Sequence, residues 1–325
     1  MRTCQLIPAL AVVSVVTAAS AQRPARAPVP SNPTLVRISA RVDSISKRQP
    51  LNFAAYVATI DSLRPILLEL IERDSLRTGG DFLSASSLLF DPTGFFENRR
   101  VEHEMALAAL MLGEPGALSR VGFTWDGLNL SMGFGQRIGS YMKDGVPTDM
   151  DPEPAPGFVR AVFKDFDAAR RRAVAATNNA ELQSMRDADQ ADREPPLDEA
   201  KMQRLARDDP KRRTRVLELI SAGVPATGRD FQNAATVLQH GGRPNDFRLG
   251  HELSVAAFAL GDTSAKWLIS RSYDRMLLHL GHRQRLATQF RGIKLLPIDT
   301  VGMNDRVRAL LGGRRLVDVR AGGHP

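Results

Sequence analysis

The feature that most constrains this chain is that it resembles itself. Residues 69–137 align with 218–285, with one extra residue in the first stretch, and about 22 positions are identical where roughly one in sixteen would match by chance. Glu69-Leu70-Ile71 meets Glu218-Leu219-Ile220, and Gly79, Asp81 and Phe82 meet Gly228, Asp230 and Phe231. After the one-residue slip, His103-Glu104 meets His251-Glu252, Leu112-Gly113 meets Leu260-Gly261, Asp126 meets Asp274, and Gln136-Arg137 meets Gln284-Arg285. Self-similarity on this scale implies two copies of one supersecondary unit, and predicts that the copies pack against each other.

The second copy shows what the unit is made of. Phe231, Ala234, Ala235 and Leu238 form one apolar stripe at helical spacing, with Asp230 placed to cap it and Gly241-Gly242 to stop it. Pro244 suits the first turn of a second helix carrying Leu249, Leu253, Ala256 and Leu260, ended by Gly261. Asp262 or Thr263 caps a third, with Ala265, Leu268, Ile269, Met276 and Leu280 on its stripe and Gly281 at its end. Short helices with glycine stops and small alanine contacts predict an all-α protein, two related helical repeat units packed as a bundle or solenoid-like array. Ile293–Ile298 reads as a short extended C-terminal segment, followed by a short helix from Asn304 to Leu311.

Around the copies the chain divides readily. Residues 1–21 combine Arg2, an apolar run from Leu6 to Val16 and Ala19-Ser20-Ala21, the pattern of a cleaved signal peptide, too short in its apolar run for a membrane span. Secreted or periplasmic location follows as an expectation. Cys4 is the one cysteine and would leave with the signal, which sets aside disulfides, thiolate catalysis and cysteine-held metals. Residues 22–33 are a proline-rich spacer. Residues 34–143 hold the first, degenerate repeat, helical from Thr34 to about Glu72 at its start. Residues 144–157, with four prolines, read as a linker. Residues 158–318 hold the second helical domain, opening on a helical region from about Phe158 to Ala191, and 319–325 form a frayed tail. The formal charge of +8 is spread over interleaved acids and bases. It therefore speaks for solubility more than for a partner, although an anionic envelope component is a compatible one. Few aromatics and no groove-reading motif argue against nucleic acid.

No HExxH, G-x-S-x-G, P-loop or GxGxxG is present: His251 is followed by Glu-Leu-Ser-Val and His103 by Glu-Met-Ala-Leu. His279 and His282 lack a third ligand fixed by spacing, so no metal or cofactor is expected. The two copies sort the remaining polar residues. Asp81/Asp230, His103/His251, Asp126/Asp274 and Gln136/Gln284 occur in both, as scaffold residues would. Gln239, His240, Arg275, Thr288 and Gln289 occur in the second copy alone, and Phe90, Asp91 and Gly127 stand where the first three would be. The candidate binding residues are Gln239, His240, Arg275, Gln284 and Gln289, with Asp189 and Gln190 from the preceding helix. The candidate catalytic residues are His240, His251 and Asp274. The plain readings beside these are a buried structural His251, a His240 that caps a helix end, an Asp274–Arg271 or Asp274–Arg193 ion pair and an Asp189–Arg193 salt bridge at i, i+4.

Asp189-Gln190 with Arg193, Gln239-His240, Asp274-Arg275, Gln284 and Thr288-Gln289 occur in that order. In this, residues 181–318 resemble a bacterial domain family of unknown function that is common in exported proteins. The segment GIKLLPID and the arginine-bearing helix after it fit the same family's tail. One departure is that Leu286-Ala287 stand where the family has an aromatic residue and a glycine. The resemblance implies export and a helical domain, and it names no reaction. Two functions of different class follow. One is a non-catalytic binding or interaction module of the cell envelope, with a groove between the copies. The other is a hydrolase-like enzyme acting on a small molecule or envelope polymer through Gln239, His240, Asp274, Arg275 and Gln284.

Overall fold

A computed structural model describes residues 31–47 and 52–322. The expected signal peptide, the spacer as far as Pro30 and residues 323–325 lie outside the described residues. The fold is an all-α bundle. Its first half runs α1 (Pro33–Ser46), α2 (Phe53–Glu72), α3 (Gly79–Leu88), α4 (Phe96–Met111), α5 (Ala117–Ser131) and an antiparallel hairpin of β1 (Met142–Lys143) and β2 (Val146–Pro147). Two helices, α6 (Gly157–Lys164) and α7 (Phe166–Ala175), lead to the second half. That half runs α8 (Ala180–Ala191), α9 (Glu199–Ser221), α10 (Gly228–Leu238), α11 (Pro244–Ala259), α12 (Lys266–His279) and a hairpin of β3 (Phe290–Arg291) and β4 (Lys294–Leu295), and closes with α13 (Asp305–Leu310) and α14 (Leu316–Arg320). Consecutive helices α3, α4 and α5 pack on one another, as do α10, α11 and α12.

Several boundaries differ from the sequence reading. The expected helix from Thr34 to Glu72 is two helices, α1 and α2. The region from Phe158 to Ala191 is three, because the Asp165 side chain caps α7 at Ala168 and the Asn179 side chain caps α8 at Leu182. Asp230 is not the cap of α10. Thr227 is, and Asp230 closes a capping box with it from the third helical position; Thr78 and Asp81 do the same for α3. Each aspartate also accepts the backbone N–H that opens the outer helix of its half, Asn32 to Asp81 at 2.9 Å and Asn179 to Asp230 at 2.7 Å. One carboxylate thus starts one helix and tethers another.

The stretch expected as a linker, 144–157, is an integral part of the first half. It carries β2, and Asp151 and Ala155 are buried. Gln136 bridges to Met150 as Gln284 bridges to Ile298. The side chain of Gln136 binds the N–H and C=O of Tyr141, at 2.7 and 3.0 Å. Gln284 binds those of Gln289, both at 2.9 Å. Because these hairpins are held by backbone groups, they demand little side-chain identity, and the alignment of the two stretches fades there.

The halves meet through buried, reciprocal contacts. Arg137 grips Glu252 through Nε and Nη2 at 2.7 and 2.9 Å, and Arg285 grips Glu104 through the same atoms at 2.7 and 2.7 Å. Trp125 donates to Glu252 at 2.8 Å and Tyr273 to Glu104 at 3.3 Å. Arg248 pairs with Asp151, and Arg100 with Asp299, each at 2.6 Å. At the centre, His103 Nε2 and His251 Nε2 lie 3.2 Å apart, both fully buried. His251 Nδ1 donates to the Ile269 carbonyl at 3.1 Å, so its Nε2 is the acceptor when the ring is neutral. His103 Nε2–H then donates, and His103 Nδ1 accepts from the Thr124 hydroxyl at 2.9 Å. Burial holds both rings neutral, taking His251 down to about 4 and His103 well below its usual value.

Candidate functional site

The residues unique to the second stretch converge on one side of that half. Arg193 follows α8, His240 and Gly241 form the turn after α10, Phe247 lies on α11, Arg275, Leu278 and His279 on α12, and Gln289 and Leu296 on the hairpin. Together they line a cleft of about 400 Å³. Asp189, only 1% exposed, accepts from Gln190 at 2.8 Å and Arg193 at 2.7 Å, forming the salt bridge read from the i, i+4 spacing. His240 does not cap α10: its Nε2 is 3.6 Å from Asp189 Oδ2, and the Gln239 carbonyl at the helix end is taken by Arg275 Nη1. Arg275 Nε donates to Gln289 Oε1 at 3.0 Å.

The electrostatics of this cluster follow from burial. Desolvation, reinforced by Arg193 and Arg275, lowers His240 to about 2, so the ring is neutral and its contact with Asp189 is not an ion pair. Desolvation raises Asp189 to about 6, against the pull of Arg193. A proton arriving here resides on Asp189 rather than on His240. Arg275 is lowered to about 10 by desolvation and by the fields of Arg271 and Arg193. Among the described residues, Arg275 forms no salt bridge and its Nη2 has no hydrogen-bond partner.

The aligned positions of the first half build the opposite of a cleft. Phe247, Arg275 and Gln289 are matched there by Arg99, Gly127 and Tyr141, and Asp189 by Val42 once α8 is laid on α1. Arg99 reaches Glu102 at 3.0 Å and lies 4.6 Å over the Phe90 ring, while Tyr141 stacks on Phe123 at 4.5 Å. A Cβ on Gly127 would fall 2.6 Å from the Tyr141 hydroxyl. Arg99 and Tyr141 therefore fill the space that Arg275 borders in the second half.

His251 and Asp274, the other two catalytic candidates, have different partners. His251 uses Nε2 in the contact between halves and Nδ1 on the Ile269 carbonyl of its own half. Asp274 pairs with neither Arg271 nor Arg193. One of its oxygens accepts the N–H groups of Arg285 and Leu286 at 2.8 and 3.0 Å, and the other the N–H and hydroxyl of Thr288 at 3.1 and 2.7 Å. Asp126 holds Arg137, Ile138 and Ser140 in the same manner. These aspartates fold the loop that delivers Gln289 or Tyr141. Gln284 serves the same loop, and the Gln239 side-chain Oε1 is buried without a partner. Sequence reasoning missed Phe247 and His279 as cleft residues. The Phe247–Arg99 difference, beside the matched Arg248 and Arg100, was the signal for the first.

The loop also shows why a glycine would be favoured where Ala287 stands. Ala287 has φ +56°, and the aligned Gly139 has φ +79°. A left-handed conformation costs an L-residue about 1–2 kcal/mol and glycine almost nothing. Ala287→Gly is therefore expected to raise stability by up to about 1 kcal/mol in urea titration; a loss would show that the loop does not need the left-handed turn.

No family model, curated protein or solved structure matches this chain. The resemblance to the exported bacterial family rests on its motif residues alone. Among the described residues, no helix is long and apolar enough to cross a membrane. A larger cleft of about 500 Å³ draws on both halves, with Leu110, Phe163, Phe166 and Phe258 beside Glu114, Ser119 and Lys164.

Proposed function

We propose that this chain is a non-catalytic binding module of the cell envelope, built from two copies of one helical unit, and that its ligand site is the cleft of the second copy. The observation that carries the reading is the contrast between halves. The scaffold residues match, whereas the positions around the cleft differ together, filled in one half and open in the other. A joint change of the residues that line a concave surface, on a scaffold whose buried polar contacts match, is what a gained binding site looks like. Export, inferred from residues 1–21 and from the family resemblance, puts the module in the envelope.

A hydrolase-like reading draws on one observation, the buried Asp189 with its pKa near 6 beside a neutral His240. It is the weaker of the two, because the cleft brings no nucleophile to this pair and His251 and Asp274 are committed elsewhere.

The test copies the first half onto the second. An Arg275→Gly/Gln289→Tyr variant is expected to keep its helical circular dichroism and to lose the ligand-induced NMR shifts of cleft residues in a small-molecule screen. Shifts that persist in this variant, or that map to another face, would sink the assignment.

A further inference from the structure

We propose that the ligand of this cleft is a small amphiphilic organic anion, whose charged head pairs with Arg275 and whose apolar body packs on Leu278 and Leu296. The inference rests on the binding-site reading above and adds the chemical class. Arg275 is the central observation. Its Nε and Nη1 are fixed by Gln289 and the Gln239 carbonyl, so the guanidinium is held in one orientation. Its Nη2 group is unpartnered among the described residues and opens on the cleft. A guanidinium in so enclosed a place is ordinarily matched by a carboxylate, because an uncompensated charge is expensive to desolvate. Here the neighbouring charges fail to supply one. Asp189 is engaged by Arg193 and Gln190, and Asp209 by Arg193 and Arg212. Arg271, stacked 4.8 Å over Trp267, adds positive field without an acid of its own in contact.

The other walls set the rest of the ligand. Leu278 and Leu296, both half-buried, form an apolar wall, and the His279 ring lies 4.5 Å from the buried Phe247 behind it. His240 is neutral and does not compete with Arg275 for the anion. A cleft of about 400 Å³ suits a head group with a short chain or single ring rather than a polymer. A carboxylate or a phosphate monoester would satisfy the same donor.

The experiment uses four six-carbon probes that differ only in their heads: hexanoate, hexyl phosphate, hexylamine and hexanol. Each is titrated calorimetrically into the full chain. Hexanoate or hexyl phosphate is expected to bind, and whichever is tighter separates a carboxylate from a phosphate source. Hexylamine and hexanol are expected not to bind. Arg275→Gln should weaken the anion by about ten-fold or more, Arg275→Lys by less, and added salt should weaken it in the wild type. Arg275→Lys keeps the test open if Arg275→Gln melts below the assay temperature. Hexanol binding as well as hexanoate, or hexanoate binding unchanged in Arg275→Gln, overturns the anion assignment. The binding-module reading survives that result if the Arg275→Gly/Gln289→Tyr variant, with its helical circular dichroism intact, abolishes the signal. No binding by any of the four probes overturns the anion assignment and counts against the cleft itself.

Discussion

Replacing Glu252 by alanine is expected to destabilise the protein by about 3–5 kcal/mol, the range for stripping one partner from a buried pair. Glu252 is 1% exposed and is the acceptor for both Arg137 and Trp125. Without it, a guanidinium 2% exposed and an indole N–H lose their acceptor together. In a chain of this size the melting temperature should drop by roughly 10 °C. The double variant Arg137→Met/Glu252→Leu should lose less than Glu252→Ala alone, since it removes the stranded charge along with its partner. Glu104→Ala should behave similarly, because Glu104 holds Arg285 and Tyr273 in the matching arrangement. A loss below about 1 kcal/mol for both single variants would mean that these pairs do not clamp the halves.

Mild acid should unfold the protein steeply. His103, His240 and His251 all have folded pKa values depressed by burial, to about 2 for His240 and about 4 for His251. A depressed group contributes stability that is fully present above the unfolded value near 6.5 and is lost as pH falls toward the folded value. Asp189 works the other way. Raised to about 6, it contributes stability that is present below 3.8 and lost as pH rises through 6, so it offsets one of the three protons in this window. Glu102 and Asp274, also raised by burial, offset a further part at lower pH. The balance is a loss on the order of 2–3 kcal/mol per pH unit between about pH 6 and 5. Urea titrations at pH 7.5, 6.5 and 5.5 read it directly. His103→Gln, which cannot titrate, should reduce the slope by about 1.4 kcal/mol per pH unit. A flat profile in the wild type would mean that these rings are protonated in the folded state.

What the sequence disclosed was local. Pro244 does open α11, Gly261 and Gly281 do take positive φ at the ends of α11 and α12, and Asp189 does pair with Arg193. The sorting of residues by whether both stretches carry them also placed His103/His251, Asp126/Asp274 and Gln136/Gln284 on scaffold duties. What stayed hidden was non-local or carried by the backbone. Nothing near Arg137 names Glu252 as its partner, because their meeting depends on how the halves dock. The proline-rich stretch 144–157 looked loose because its ordering comes from main-chain bonds to Gln136 and from the Asp151–Arg248 pair. Asp274 looked chemical because a buried acid beside an arginine does, whereas its oxygens face a loop of amides. His240 was legible as a candidate, but the company it keeps was set by α8 and the β3–β4 hairpin.

The hydrogen bond between His103 and His251 has a polarity, and that limits how symmetric the molecule can be. A pair of identical subunits related by a true dyad would present two equivalent imidazoles, and the single proton between them would have two equal resting places. Within one chain the two sides need not be alike. The Thr124 hydroxyl lies within reach of both His103 and the Val121 carbonyl of its own helix, while Ser272, the residue aligned with it, bonds to its own helix at Leu268 and Ile269 and does not reach His251. One tautomer is thereby selected, and the centre of the molecule is a directed relay from Thr124 to the Ile269 carbonyl. Because both halves belong to one chain, the axis between them is an arrow.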